Sequence, residues 1–364
     1  MIKKVFCSGI KRSGEIVSLI LILFLICGSA LAATITVQPG ERIQEAIDQA
    51  RTGDIIEVMS GTYQGTLDIK KEVALMGIDS GEGMPVIDAG SILGSVFMTA
   101  NNSQISGFKI VNPNGDGIDV TSSHNMISNN TIEACGAAIY LMVSDKNKIV
   151  NNNATVRCQG VMGLLSSDGI MLAHSDENII EGNTASGASM GIYLYYSHNN
   201  TILNNAALSN DHGIAIKGSR DNIIQENRAI GNKEEGIGLL NGCSGNTVTK
   251  NNVTGNSIGI YLRESNHNTI YLNDFIDNLQ NALSSDSENI WHSPEQVSYS
   301  SAGKSYTGLL GNYWSDYEGN DSDGDGLGDA SHSFEYDGQD DHPLMTPSSD
   351  LIKPKMTHKG MVID

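Results

Sequence analysis

The stretch Gly191-Ile192-Tyr193-Leu194-Tyr195-Tyr196-Ser197-His198-Asn199-Asn200-Thr201-Ile202-Leu203-Asn204-Asn205 is followed eight residues later by Gly213-Ile214-Ala215-Ile216, then by Asn222-Ile223-Ile224-Gln225-Glu226-Asn227. The shared phrase is Gly, Ile, any residue, an aliphatic, a polar run, then Asn-x-Ile/Val-x-x-Asn. It occurs seven times, with its first Asn at Asn125, Asn147, Asn178, Asn200, Asn222, Asn246 and Asn268, at spacings of 22, 31, 22, 22, 24 and 22 residues. A period near 22 built from strand-like phrases means one solenoid coil per repeat. Apolar residues at i and i+2, such as Ile192 and Leu194 or Ile260 and Leu262, mark a half-buried strand. Ile127, Ile149, Ile180, Ile202, Ile224, Val248 and Ile270 anchor a second strand, and room remains for a third around Ile132, Val156, Leu208 or Ile276. No repeat carries a helical stripe. Three short strands per turn predict an all-β fold, a right-handed parallel β-helix of ~22-residue coils in which like residues stack at ~4.8 Å.

Stacking gives the invariant positions a structural meaning. An Asn tolerates left-handed backbone at a sharp bend, and its amide bonds to the Asn above and below. The Gly position, Ala138 in one coil, marks a bend or a close backbone approach. Aromatics at 5% and 40 Gly in 364 residues suit thin strands and many turns. Twenty-two Lys and Arg against 42 Asp and Glu leave a net charge of −20, which excludes a nucleic-acid backbone as the obvious partner. The same balance suits a soluble protein that meets divalent cations or glycans.

Lys3, Lys4, Lys11 and Arg12 precede the apolar run Ile16–Ile26, and Ala30-Leu31-Ala32 offers a small-x-small cleavage site. Residues 1–32 therefore read as a signal peptide, so the mature protein is expected outside the cytoplasm, with no stable membrane span after cleavage. The remaining organisation is an N-terminal cap with irregular coils (33–116), regular repeats (117–290), a C-terminal segment (291–347) and a tail (348–364). Gln44–Ala50 predicts a short amphipathic helix closing the open end of the solenoid. Trp291, Tyr299, Tyr306, Tyr313, Trp314 and Tyr317 predict an aromatic plug at the other end. Cys135 and Cys158 lie 23 residues apart, one coil, which leaves two readings: a disulfide or a pair of buried thiols.

The entry segment with Gly53-Asp54 and Gly61-Thr62-Tyr63 resembles pectin-lyase-like β-helices, and the repeats resemble the NosD-type family of exported β-helix proteins. The phrase Gly311-Asn312-Tyr313-Trp314-Ser315-Asp316-Tyr317, followed by Asp321-Ser322-Asp323-Gly324-Asp325-Gly326-Leu327-Gly328-Asp329, is similar to that family's C-terminal signature. Ala330-Ser331-His332 departs from the Pro-Tyr that usually follows. The likeness spans about residues 34–347. It implies a non-enzymatic accessory role in delivering copper or sulfur to a copper reductase, beside an ABC transporter. Many relatives are single secreted proteins.

Asp321, Asp323 and Asp325 at positions 1, 3 and 5, with Gly326 at 6 and Asp329 at 9, match the oxygen-rich start of a calcium loop. Position 12 is His332 rather than Glu, so the loop is closer to dockerin-like repeats than to an EF-hand. The variable outward positions of the first strand supply the other candidates. Asp116, Asp168, His212 and Glu235 precede the Gly column; Asp119, Tyr140, Met171, Tyr193 and Tyr261 follow it; Met142, Tyr195, Lys217 and Arg263 come two residues later. Acids, cations and stacked Tyr on one face suit a sugar-binding surface, because aromatic rings pack on pyranose C–H groups while carboxylates bond hydroxyls. Asp211, His212 and Lys217 form the tightest candidate catalytic group. Met171 and His174, with Met142 and Met190 on neighbouring coils, are the nearest approach to a soft-metal cluster. Three roles follow: a binding or accessory protein, acting on metallocentre maturation or on a cell-surface glycan; a polysaccharide hydrolase or lyase; and a structural element of the cell envelope.

Overall fold

The computed structural model describes residues 32–91, 93–158 and 167–352. The expected signal peptide (all but its last residue), most of the insertion around Val161–Ser167 and the end of the tail lie outside the described residues.

Each coil contributes one strand to each of three parallel sheets, and each sheet has eleven strands among the described residues. Sheet 1 holds the Gly-Ile phrases, from Leu67–Ile69 to Glu335–Tyr336. Sheet 2 holds the Asn-x-Ile phrases, from Thr34–Val37 to Thr269–Tyr271. Sheet 3, from Thr62–Gln64 to Tyr313–Trp314, is the third strand expected from repeat length. One coil shows the pattern: Met190–Tyr195, Thr201–Leu203, Ala206–Leu208. Pairing is in register, Ile170 with Ile192 and then Ile192 with Ile214, so the aliphatic positions form continuous inward stacks. Ile192, Leu194, Ile202 and Ala207 are fully buried in a core that runs from Val37 to Trp314, and a second, small cluster gathers Leu272, Tyr299, Leu310, Leu344 and Leu351.

Polar ladders hold the corners. Asn183 donates from its backbone N–H and from Nδ2 to Asn205 Oδ1, at 2.9 and 3.0 Å, and Asn205 does the same to Asn227, at 2.8 and 3.0 Å. A parallel ladder climbs through Asn178, Asn200 and Asn222. A third, through Asn210, Asn232, Asn256 and Asn278, was not singled out by the phrase. The left-handed residue at each bend is not the ladder Asn but the residue before it: Asn199, Asn204, Asp221 and Glu226 have φ near +55°. The ladder Asn instead closes the bend through its amide. The Gly column is a close approach rather than a left-handed turn. A Cβ on Gly191 would stand 2.6 Å from the carbonyl oxygen of Gly213 on the next coil. Cys243 occupies a site in a serine ladder, between Ser219 and Ser265. Its thiol donates to the carbonyls of Ile216 and Leu240, which accounts for an unpaired buried Cys.

A short helix, Ile43–Gln49, buries Ile43, Ala46 and Ile47 at the N-terminal end. At the C-terminal end Trp314 stacks on Phe275 at 4.5 Å between ring centroids, and Trp291 and Phe334 pack around it. A hairpin, Val297–Ser301 with Lys304–Gly308, lies outside this stack. Cys135 and Cys158 are joined as a disulfide across adjacent coils, with Cα atoms 4.8 Å apart.

Candidate functional site

Because sheet 1 pairs in register, its outward residues also form columns. The central column reads Phe97, Asp119, Tyr140, Met171, Tyr193, Ala215, Gly238 and Tyr261, one residue per coil. A flanking column carries Met142, Tyr195, Lys217 and Arg263. On the other side, preceding the glycines, stand Asp116, Asp168, His212 and Glu235. All the sheet 1 candidates therefore share one face. Phe97 extends the central column and was missed in the sequence, because its irregular coil lacks the Gly-Ile phrase.

The face divides into two chemistries. Toward the N-terminal end, Asp116, Asp119 and Asp168 surround Tyr140 closely enough that all three carboxylates, after burial itself, hold its phenol above the usual range. Burial, then the charge of Asp116, pushes the Asp119 carboxyl up to about 7. Its Oδ2 lies where a Cβ on Gly94 would fall, so only glycine admits it there. Its Oδ1 is buried with no hydrogen-bond partner among the described residues. Asp116 is also raised by burial, against the pull of the Ala137 N–H, which donates to it at 2.6 Å. Burial and then Asp168 push Tyr193 up to about 12.

Farther along, His212 Nδ1 meets Glu235 Oε2 at 2.8 Å across neighbouring coils, and that bond holds the imidazole above its ordinary range. Glu235 is itself buried and folds over Gly238, whose missing side chain leaves the room. Asp211 turns away to Lys233, whose Nζ donates to it at 2.6 Å. Lys217 stands 5.9 Å over the ring of Tyr195. Asp211, His212 and Lys217 thus have three different partners, and the structure brings His212 together with Glu235. The signal was present in the sequence: the two residues are 23 apart, one coil, in the same column. Arg263 donates to Asn241 at 3.0 and 3.2 Å, and Tyr261 stands in the central column with Leu283 next to it on the following coil.

The C-terminal loop gathers Asp321, Asp323 and Asp325, whose carboxylate oxygens lie within 4.8 Å of one another. Asp321 accepts the N–H groups of Gly324, Asp325 and Gly326, which aims its carboxylate into the turn. Asp329 accepts from both the N–H and the hydroxyl of Ser322. Oxygen donors of this kind suit hard cations such as calcium.

Residues 86–155 and 153–319, more than half of the chain, match the family model described as periplasmic copper-binding protein (NosD). No curated protein matches the chain. Among solved structures it is similar to the A-module of the mannuronan C-5 epimerase AlgE4 of Azotobacter vinelandii, at 20% identity and a TM-score of 0.56 over 72% of this chain and 79% of that one. Pectate lyase Pel9A is similar at 16% identity and a TM-score of 0.57, over 72% and 80% of the two chains. The polygalacturonase of Erwinia carotovora ssp. carotovora is similar at 11% identity and 0.53, over 71% and 93%. These likenesses fix the fold as the pectate-lyase type of parallel β-helix.

Among the described residues, the His and Cys side chains form no cluster that fits a copper centre. Copper prefers imidazole and sulfur. Among the described residues, three or more His, Cys, Asp or Glu ligand atoms converge only at the all-oxygen aspartate loop. Cys135 and Cys158 are bonded to each other, and Cys243 is a buried ladder thiol that burial holds above its usual range. His292 and His342 approach to 5.2 Å between ring centroids, and no third such ligand joins them. Repeats, three-sheet coil and family match nonetheless agree, and the chain belongs to the NosD family of parallel β-helix proteins.

Proposed function

We propose that this protein is an exported glycan-binding member of its family, which takes a polysaccharide chain along the outward face of sheet 1. The observation that carries this reading is the in-register central column, where Asp119, Tyr140 and Tyr193 lie within three coil steps of one another and Tyr261 stands beyond the small residues Ala215 and Gly238. A coil rise of ~4.8 Å is close to the length one pyranose adds to an extended chain, so successive sugars meet successive side chains. Tyr rings offer apolar faces to sugar C–H groups, while the carboxylates and Lys217 bond hydroxyls. The three similar enzymes are named for acting on polysaccharides, which supports the substrate class. Native affinity electrophoresis through gels cast with alginate, polygalacturonate, xylan or β-glucan tests it. The wild-type protein is expected to be retarded in at least one gel, and Tyr193→Ala to bind about tenfold more weakly, ~1.4 kcal/mol. Unretarded migration in all four gels sinks the reading.

A second reading, a polysaccharide-active enzyme, is favoured by the His212–Glu235 pair and by the Asp119 carboxyl near neutrality. A buried acid at about 7 suits general acid catalysis, which needs it protonated. Turnover would then fall as pH rises through 7, and Asp119→Asn would abolish it. Reducing-end release from the same four polysaccharides decides this, since no product at any pH removes it. Copper delivery rests on the family description alone.

For the aspartate loop, calcium is the cation its oxygen donors support. Calcium is expected to raise the melting temperature of the wild-type protein and not of Asp323→Asn. Equal shifts in both would remove the loop as the cause.

A further inference from the structure

The corner that follows each sheet 1 strand imposes a left-handed backbone on whichever residue falls there. Val143, His174, Tyr196, Gly218, Asn241 and Glu264 occupy this corner on six successive coils, all with φ between 46° and 59°. Their backbone N–H groups bond in sequence to the coil above, so the corner is one continuous column. Gly218 and Asn241 are residues that this conformation favours. Val143 is β-branched and Tyr196 is bulky, the side chains least suited to it. Neither repays the strain by burial: Val143 is 68% exposed and Tyr196 is 44% exposed, and His174 between them is exposed as well.

These side chains form an aromatic ledge. The rings of His174 and Tyr196 are parallel to within 3° at 5.7 Å between centroids. Tyr195 stands edge-on to both, at 5.8 and 4.6 Å. Tyr196 lies against the bare backbone of Gly218, where a Cβ would come within 2.6 Å of its ring. The bare backbone of Gly218 leaves the room that the ring occupies. Tyr195 belongs to the ledge and to the face at once, since its ring is 6.1 Å from Tyr193 and lies under the Lys217 ammonium. The corner imposes its backbone on any residue, so what sets this stretch apart is the ordered cluster of rings that it holds at exposed positions.

We infer that the Val143–His174–Tyr196 ledge is a second sugar-binding subsite, which holds a branch or a neighbouring pyranose of the glycan bound on sheet 1. The inference rests on the glycan-binding reading. It commits to a sugar because the ledge joins the Tyr193 face through Tyr195. Its rings are also interleaved with hydrogen-bonding groups, the His174 imidazole, two phenols and the Lys217 ammonium, as pyranose recognition requires.

The conformation supplies the test. Tyr196→Gly and His174→Gly place the favoured residue at a left-handed corner, so both variants are expected to melt no lower than the wild-type protein. In gels cast with alginate, polygalacturonate, xylan or β-glucan, each is expected to bind at least fivefold more weakly wherever the wild-type protein is retarded. Tyr196→Asn, which keeps the corner and removes the ring, is expected to match Tyr196→Gly. Wild-type retardation with an undiminished Tyr196→Gly overturns the ledge and leaves the sheet 1 reading standing. A Tyr196→Gly protein that melts several degrees lower also overturns it, because the ring would then be structural. A wild-type protein unretarded in every gel removes both.

Discussion

Asp340 ends the asparagine ladder that climbs through Asn183, Asn205 and Asn227. Asn273 donates to Asn312, and Asn312 passes its own backbone N–H, at 2.7 Å, and its Nδ2, at 3.3 Å, to Asp340 Oδ2. Trp314 Nε1 donates to the same oxygen at 3.0 Å, so one carboxylate ties the last ladder rung to the aromatic plug. Burial pushes this carboxyl up to about 6 even though these donors pull it down. The folded-state value therefore lies above the ~3.9 of an unfolded Asp, and the folded protein binds the extra proton between those limits. Stability from Asp340 is full below pH ~4, falls as pH rises through 6, and is level above that, a span on the order of 2–3 kcal/mol. Asp340→Asn keeps an acceptor for the ladder and removes the titration. Urea unfolding from pH 4.5 to 7.5 is expected to show a smaller loss of stability in the variant than in the wild-type protein, and parallel curves would exclude Asp340 as the source. None of this was legible in the sequence. Asp340 follows Asn312 by 28 residues, after the periodic columns have ended, and the polar run Gln339-Asp340-Asp341 carries no pattern that singles it out.

At the scale of the coil the sequence was far more informative, because stacking repeats every inward constraint. Ile192, Leu194 and Ile202 face the core at the alternation read from the phrase, and the Asn positions bond upward through every coil they mark. What escaped was conformation that the coil imposes regardless of residue: Lys146, Glu177 and Leu272 adopt the left-handed bend, although none of them signals a turn. The outward columns were legible as columns, but contacts between columns, such as Tyr193 with Tyr195 at 6.1 Å between ring centroids, were not. The two repeat-defining positions respond differently to substitution. Asn205→Ala removes the acceptor of the Asn183 amide and backbone N–H and the donor to the Ile180 carbonyl, all buried. It is expected to lose on the order of 2–4 kcal/mol by chemical denaturation. Gly213→Ala drives a Cβ into the Gly236 backbone carbonyl, which no rotamer change relieves, and is expected to lose at least ~1–3 kcal/mol. Ile223→Ala, exposed on sheet 2, is the control and should shift stability by less than ~0.5 kcal/mol.

A solenoid has no long-range core contacts to average out a weak place, since each coil touches only its neighbours and stability is a sum of coil and interface contributions. The weak place here is visible in the spacing: Asn147 and Asn178 are 31 residues apart, where the neighbouring intervals are 22. The added length falls between Asn153–Val156 of sheet 3 and Ile170–Ala173 of sheet 1, and the Cys135–Cys158 disulfide adjoins this joint. Closing a 23-residue loop is worth about 3 kcal/mol of unfolded-state entropy. Nearest-neighbour coupling confines that gain to the coils that share the bridge. In the Cys135→Ser/Cys158→Ser protein, amide exchange is therefore expected to accelerate roughly a hundredfold, the equivalent of ~3 kcal/mol, in Thr131–Ala134 and Asn153–Val156. Protection of Ile223–Gln225 and Asn252–Thr254, two or more coils beyond the joint, is expected to stay the same. Uniform acceleration across all three sheets would mean that the molecule opens as one cooperative unit and that the bridge stabilises the whole stack rather than its joint.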